Sequence, residues 1–278
     1  PEKSGFRNTM DSVFTGLFEA DAPGGSILIM KSDSIAYLKN FGVADIETGE
    51  KITENTIFNT GSISKTFVSN AILILQERNQ LSVDDQIDKY FNDFKNPEIA
   101  GKVSIKNLLA HNSGLPDNRI KWNSIEYYVT AKDTGNFEPI KKAEKLNFEP
   151  GEKFEYSNPA YNGLALIINQ VTGKKWQQFI VDNIFKPSGM KSSKITDGSF
   201  PDKGVAHAYE LNNSTYSELD YGEEPFFAAA GNGGIWSTVL ELAAYEKAIR
   251  ENKFLSQNTI NESRTIVQSE NWKDKETA

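Results

Sequence analysis

The apolar positions near the N-terminus change from a helical to a strand-like period. Over residues 6–19 they recur every three or four positions, which predicts an amphipathic helix. Pro23-Gly24-Gly25 ends this pattern. Two apolar runs follow, at residues 26–30 and at residues 35–38 extending to 43, on either side of the polar Lys31-Ser32-Asp33-Ser34. These runs predict a β-hairpin with a polar turn.

Beyond residue 60 the pattern is mainly helical. A strong helix follows Thr60-Gly61, Ser104 resembles the N-cap of a short helix over residues 105–110, and residues 161–171 and 175–185 have helical apolar spacing. Thr238 and Glu241 have the spacing of a capping box before a last helix. The order predicts an α+β fold, in which an antiparallel sheet flanked by helices packs against a mainly helical lobe, with a cleft between them.

The expected organisation is a single catalytic domain, residues 1–278, made of two lobes. The sheet lobe comprises residues 1–60 and 237–278, and the helical lobe comprises residues 61–236. There is no internal repeat and no low-complexity linker.

Composition excludes several classes of function. Thirty basic and 38 acidic residues give a net charge of −8 without a basic stripe, which disfavours binding to nucleic acid. No apolar stretch is long enough to span a bilayer. The chain has no cysteine and only two histidines, so we expect no disulfide, no metal and no cofactor.

Ser62-Ile63-Ser64-Lys65 is the first candidate catalytic motif. Residues i and i+3 of a helix lie on one face, so Lys65 would reach the Ser62 hydroxyl. The helix N-terminus would also place backbone N–H groups where an oxyanion develops. Burial would lower the pKa of Lys65 and let it accept the serine proton. The same letters recur at Ser188 and Lys191, but Pro187 and Gly189 make that copy a turn.

Tyr156-Ser157-Asn158 is the second candidate motif, on a loop between Pro150-Gly151 and a helix that begins near Pro159. A tyrosine beside a lysine can shuttle a proton, and an asparagine amide can hold both a substrate carbonyl and the lysine amine. The alternative is structural: Tyr156 packs, and Asn158 caps the next helix.

The ordered set of motifs resembles the serine β-lactamase-like and penicillin-binding protein superfamily, with its class C β-lactamases, D-alanyl-D-alanine carboxypeptidases and esterases. The two motifs above are joined by three others: Leu81–Asp85, Leu108–Pro116 and Gly233–Thr238. The resemblance runs from about residue 25 to about residue 250. It implies that Ser62 is acylated, that Lys65 and Tyr156 form its general-base pair, and that Asn158 positions the substrate.

One motif of that superfamily, Lys/His-Thr/Ser-Gly on a strand near the C-terminus, is not found. Only Lys3-Ser4-Gly5 matches its letters, at the N-terminus and ahead of a helix. We therefore expect the C-terminal strands to be absent from this chain, and a further C-terminal segment to complete the sheet and the oxyanion hole. The other hypothesis is a non-catalytic binding or regulatory relative.

Other catalytic schemes lack their motifs. There is no Gly-x-Ser-x-Gly elbow, and Gly231-Asn232-Gly233-Gly234 fails as a dinucleotide fingerprint because Trp236 occupies the third glycine position. His111 is expected to fix a loop by hydrogen bonding. The sequence thus predicts a periplasmic or extracellular serine hydrolase that cleaves a β-lactam, a D-amino-acid peptide or a small ester.

Overall fold

The N-terminal region folds as a helix against a two-stranded hairpin, as the sequence predicted. In this computed structural model, which describes residues 2–195, 203–219 and 229–265, helix α1 spans Glu2–Phe14 and strands β1 and β2 span Gly25–Lys31 and Ser34–Phe41. The two strands pair antiparallel. Ser32 and Asp33 both have positive φ, 47° and 63°, which is the twist that a tight hairpin turn needs.

Ten further α-helices lie in the described part of the chain. They are α2 (Ser64–Glu77), α3 (Pro97–Lys102), α4 (Ile105–Leu109), α5 (Ile125–Thr130), α6 (Asp133–Lys141), α7 (Asn158–Thr172), α8 (Trp176–Ile180), α9 (Lys186–Ser188), α10 (Val239–Arg250) and α11 (Gln257–Ser263). A π-helical turn, Val181–Phe185, joins α8 to α9. Helices α2 and α7 form the centre of the molecule, because their apolar side chains lie in one continuous buried cluster with those of α4, α6 and α8.

Among the described residues, the strands form three small antiparallel sheets, whereas the sequence predicted a single sheet. The remaining strands are β3 (Phe58–Asn59), β4 (Lys194–Ile195), β5 (Tyr209–Asn212), β6 (Thr215–Glu218) and β7 (Ile235–Ser237). The sheet orders are β1-β2, β3-β7-β4 and β5-β6. The prediction missed β3, β4 and β7 because strands of two or three residues are too short to show alternation.

Helix caps position two of the segments around the site. Ser104 is the N-cap of α4, as the sequence predicted. Asn107 completes a capping box with it, which the sequence analysis did not predict. Thr238 accepts from the Glu241 N–H, but the Glu241 carboxylate accepts instead from the backbone N–H groups of residues 191–193. The cap of α7 is Ser157, so the alternative in which Asn158 caps this helix is wrong.

The hairpin is covered on its sides by helices. Tyr37 of β2 donates to Asp11 of α1 at 3.0 Å, and α10 contacts β1. Within residues 2–195, 203–219 and 229–265, no third strand pairs with β1 or β2. Residues 266–278, which the sequence analysis assigned to the sheet lobe, lie outside the described residues, and the two-lobe boundaries stay a prediction.

Candidate active site

Ser62 lies in one turn of 3-10 helix, Gly61–Ile63, that runs directly into α2. This turn begins where β3 ends. Asn59 accepts from the Gly61 N–H at 2.7 Å, and Gly61 has a φ of +50°, which a glycine adopts without strain. Ser62 is therefore held at the exposed start of a buried helix, with its N–H in the first helical turn, as the sequence predicted.

The structure brings all four predicted site residues together. The Lys65 amine lies 3.1 Å from the Ser62 hydroxyl oxygen, and the Tyr156 hydroxyl lies 2.7 Å from the same atom. Lys65 also donates to the Asn158 side-chain carbonyl at 2.8 Å. Lys65 is 5% exposed, whereas Tyr156 is 48% exposed, so the proton-carrying groups lie beneath and beside a serine that faces solvent.

Lys65 has a third acceptor that sequence reasoning missed. Its amine donates to the backbone carbonyl of Asn232 at 2.7 Å. That carbonyl is fixed by a buried network, because Asp133 accepts from the Gly231 N–H at 2.8 Å and from the Asn162 amide at 2.8 Å. The Asn162 amide also donates to the Asn232 side chain at 3.0 Å. Helices α6 and α7 thus hold the turn that orients Lys65.

Burial and neighbouring charges adjust the proton affinities of the pair. Burial lowers the pKa of Lys65, the nearby Tyr156 opposes this effect, and the Arg119 charge lowers the pKa further. For Tyr156, burial alone would raise the pKa, but the Lys65 and Ser62 side chains outweigh burial and lower the pKa below its usual value. Both shifts bring the pKa values of Lys65 and Tyr156 closer to neutral pH, at which such groups can accept and donate a proton during a reaction.

His111 fixes the loop that carries Tyr156, as the sequence predicted. Its Nδ1 accepts from the Ser157 N–H at 3.0 Å, and its ring stacks on the Tyr156 ring at a centroid distance of 4.5 Å. Burial and then the Lys65 charge lower the pKa of His111 to about 4, so the imidazole is neutral and able to accept this bond at neutral pH. His111 has no hydrogen bond to Ser62 in the structure.

The rejected copies of the motifs lie in different local structures from Ser62. The Ser188 hydroxyl is buried and has no hydrogen-bond partner, so Lys191 does not pair with it. Gly5 of Lys3-Ser4-Gly5 lies within α1. Residues 231–234 form a turn before β7, which agrees with the prediction of a tight loop.

Besides the Asn232 carbonyl, three residues of the site surroundings were not predicted: Asp133, Asn162 and Arg119. Arg119 is buried and donates to Asn136 at 2.6 Å and to Asp117. Asp133 and Arg119 stand among other polar residues, and only Asn162 interrupts an apolar run, so the local sequence does not identify partners 29 or 98 positions away.

The described residues contain no group of three or more histidine or acidic side chains placed to hold a metal ion. In the same ranges, no helix is both long and apolar enough to cross a membrane.

Comparisons with known proteins identify the same superfamily that the motifs resemble. A family model described as Beta-lactamase matches residues 6–277. "Penicillin-binding protein 4*" of Bacillus subtilis (strain 168) is 28% identical over 270 residues, and the match covers 91% of this chain and 58% of that protein. "Protein flp" of Staphylococcus aureus (strain MW2) is 34% identical over 199 residues, covering 69% of this chain and 39% of that protein.

The fold is also similar to solved structures. The octameric penicillin-binding protein homologue from Pyrococcus abyssi matches with a TM-score of 0.76 and 27% identity, over 95% of this chain and 59% of that chain. This confirms the predicted β-lactamase/transpeptidase-like fold. The chain spans 39–58% of the length of the two curated relatives.

Proposed function

Because this chain belongs to the β-lactamase family, we propose that it is a serine hydrolase that cleaves an ester or amide through an acyl-enzyme on Ser62. The observation that carries the proposal is the pair of contacts to one oxygen atom. The Ser62 hydroxyl oxygen is within hydrogen-bond distance of both Lys65 and Tyr156. A nucleophile with an adjacent base, which is itself oriented by further groups, is the arrangement that acyl transfer requires.

In the first step, the Ser62 oxygen attacks the substrate carbonyl and gives its proton to the Lys65–Tyr156 pair. A neutral Lys65 amine can donate its two N–H groups to the carbonyls of Asn158 and Asn232, which leaves its lone pair facing Ser62. Burial of Lys65 favours this neutral form. Tyr156, on the solvent side of Ser62, is placed to pass the proton to the leaving group.

The remaining steps use the same groups in reverse. The Ser62 N–H, at the first turn of its helix, can donate to the oxyanion of the tetrahedral intermediate. The carbon–oxygen or carbon–nitrogen bond to the leaving group then breaks, and the leaving group departs with the transferred proton. The same pair then takes a proton from a water molecule, whose oxygen attacks the carbonyl carbon of the acyl-enzyme. The bond from this carbon to the Ser62 oxygen breaks, and the pair gives the proton to Ser62, which releases the acid product. Asn158 would position the substrate carbonyl group beside Lys65.

We propose a β-lactam, a D-amino-acid peptide or a small ester as the substrate, and the periplasm or the outside of the cell as the location. The name of the Bacillus subtilis relative says that it binds penicillin, and this supports a β-lactam as a ligand of the site. Fractionation of cells that express the natural gene would test the location, which a purely cytoplasmic signal would contradict.

The test of the proposal is covalent labelling. After incubation with a fluorophosphonate or a β-lactam, intact-mass analysis should show one adduct on the peptide that contains Ser62. Ser62→Ala should remove the adduct, whereas the matched control Ser188→Ala should keep it, because the Ser188 hydroxyl is buried and has no hydrogen bond to Lys65 or to any other described residue. Labelling that persists in Ser62→Ala would contradict the assignment. Reversible binding of the β-lactam without any adduct would favour the non-catalytic alternative.

A further inference from the structure

A basic cavity of about 870 Å³ lies beside the loop that carries Tyr156. Four of its nine lining residues are lysines and one is an acid; they are Lys95, Pro116, Asn118, Lys121, Trp122, Lys142, Glu144, Lys145 and Asn147. This excess of positive charge is local, because acidic residues outnumber basic ones by 38 to 30 in the whole chain. The volume is within the range of a pocket for a small molecule, about 300–1,000 Å³.

Three of the four lysines in this cavity form no ion pair with the part of the chain that the structure describes. Lys95 pairs with Glu144, but Lys121, Lys142 and Lys145 have no ion pair with the described residues. Lys142 instead lies over the Trp122 ring, 4.3 Å from its centroid. Like charges that line one cavity raise each other's energy, and an anion bound among them removes this cost. The cavity thus favours a ligand with a carboxylate or a phosphate.

The cavity is connected to the candidate active site through Asn147. The backbone N–H of Asn147 donates to the Gly114 carbonyl at 2.8 Å, and its side chain donates to Glu155 at 2.9 Å. Glu155 directly precedes Tyr156 and donates its own N–H to the His111 carbonyl. One wall of the cavity is therefore part of the loop system that positions Tyr156.

We infer that this cavity is a subsite for a negatively charged group of the substrate, separate from the residues that contact the Ser62 hydroxyl. The inference deepens the proposed function and rests on it for the identity of the ligand as a substrate. The acyl donor would carry a carboxylate or phosphate, held by Lys121, Lys142 and Lys145. An extended, anionic substrate would thereby be preferred over a neutral one of the same shape.

The first test compares two aryl esters of glutaric acid, one with a free carboxylate and one with that carboxylate replaced by a primary amide. We expect the wild type to prefer the carboxylate ester in kcat/KM by roughly three- to tenfold at low salt, and less at high salt. Lys121→Glu and Lys145→Glu should each abolish or reverse the preference while leaving the amide ester nearly unaffected.

The matched control is Lys31→Glu, which changes the net charge equally at an exposed lysine of the hairpin. It should keep the preference. An unchanged preference in the two cavity variants, or an equal loss in Lys31→Glu, would overturn the inference. Binding to anionic lipid vesicles that needs the same lysines, without discrimination between the esters, would also overturn it and identify a membrane as the partner.

A second measurement separates the failure of this inference from that of the proposed function. Calorimetric titration of the wild type with tripolyphosphate requires no catalysis. Binding that is weakened at least about fivefold by Lys121→Glu and Lys145→Glu, but not by Lys31→Glu, would support the anion subsite even if neither ester were hydrolysed. The absence of tripolyphosphate binding in the wild type, together with equal rates for the two esters, would refute the subsite.

Discussion

Replacement of Asp133 by alanine should impair both stability and acylation. The carboxylate is 6% exposed and accepts from the Gly231 N–H, the Asn162 amide and the Trp176 indole N–H at 2.8, 2.8 and 2.7 Å. In Asp133→Ala, Asn162 keeps a second acceptor, Asn232, but the Gly231 and Trp176 donors lose theirs.

The magnitude follows from the two donors left buried and unpaired. Each such donor costs about 1–3 kcal/mol, and loss of the buried charge offsets part of this cost. We therefore expect the free energy of unfolding to fall by about 3 kcal/mol and the Tm by roughly 5 °C. Urea unfolding followed by circular dichroism would measure the change in the free energy of unfolding.

The effect on acylation has a different origin, since Gly231 precedes the carbonyl that accepts from Lys65. A displacement of about 1 Å in a catalytic group can lower the rate about 100-fold, so we expect a loss of roughly ten- to a hundredfold in fluorophosphonate labelling per folded molecule. Weakening of the bond from Lys65 to this carbonyl should also lower the pKa of Lys65, because that bond favours the charged amine. Since the neutral amine is the proposed base, the acidic limb of the pH–rate profile should move to lower pH.

Trp176→Phe provides the control for Asp133→Ala. It removes one buried hydrogen bond and lowers stability, but it leaves the Gly231 and Asn162 contacts in place. Labelling measured at a temperature where both variants are fully folded should then be reduced much more in Asp133→Ala. If Trp176→Phe reduced labelling equally, or if Asp133→Ala labelled at the wild-type rate with an unshifted pH profile, Asp133 would have only a structural role.

Three further results are expected. Lys65→Ala and Tyr156→Phe should each lower turnover by about 10² to 10⁴, and full activity of Tyr156→Phe on every substrate would leave the tyrosine a packing role only. The pKa of His111 is about 4 in the folded state against an ordinary 6.5, so the unfolded chain binds a proton first and stability should fall as the pH drops from 6.5 to 4. In urea unfolding measured across this pH range, His111→Asn should flatten the dependence of stability on pH. An unaltered slope would refute this prediction. Gly163→Ala places a methyl group 2.6 Å from a Phe137 ring carbon and should destabilise by about 1–3 kcal/mol in the same assay, whereas a gain in stability would mean that the ring can move away.

The sequence predicted what depends on local spacing. Ser62 and Lys65 share a helix face, so their contact follows from a separation of three residues. Ser104 caps its helix, and the hairpin turns at Ser32 and Asp33, within the polar run that predicted a turn. These features need no knowledge of distant parts of the chain.

The features that were missed depend on distant pairing. Strand β7 exists because Ile235–Ser237 pairs with Phe58–Asn59 on one side and Lys194–Ile195 on the other, and none of these runs shows a strand pattern alone. The link from Asp133 to Gly231 likewise spans 98 positions. Such contacts are set by tertiary packing, which local propensity does not report.

The three acceptors of Lys65 have a consequence for the order of events during folding. They lie 3, 93 and 167 positions away along the chain. Helix α2 can form early from local contacts, but the other two acceptors arrive only after long loops have closed, which is slow. During refolding, helical circular dichroism should therefore recover before competence for acylation, and a nascent chain would carry an inert Ser62 until most of its length has folded.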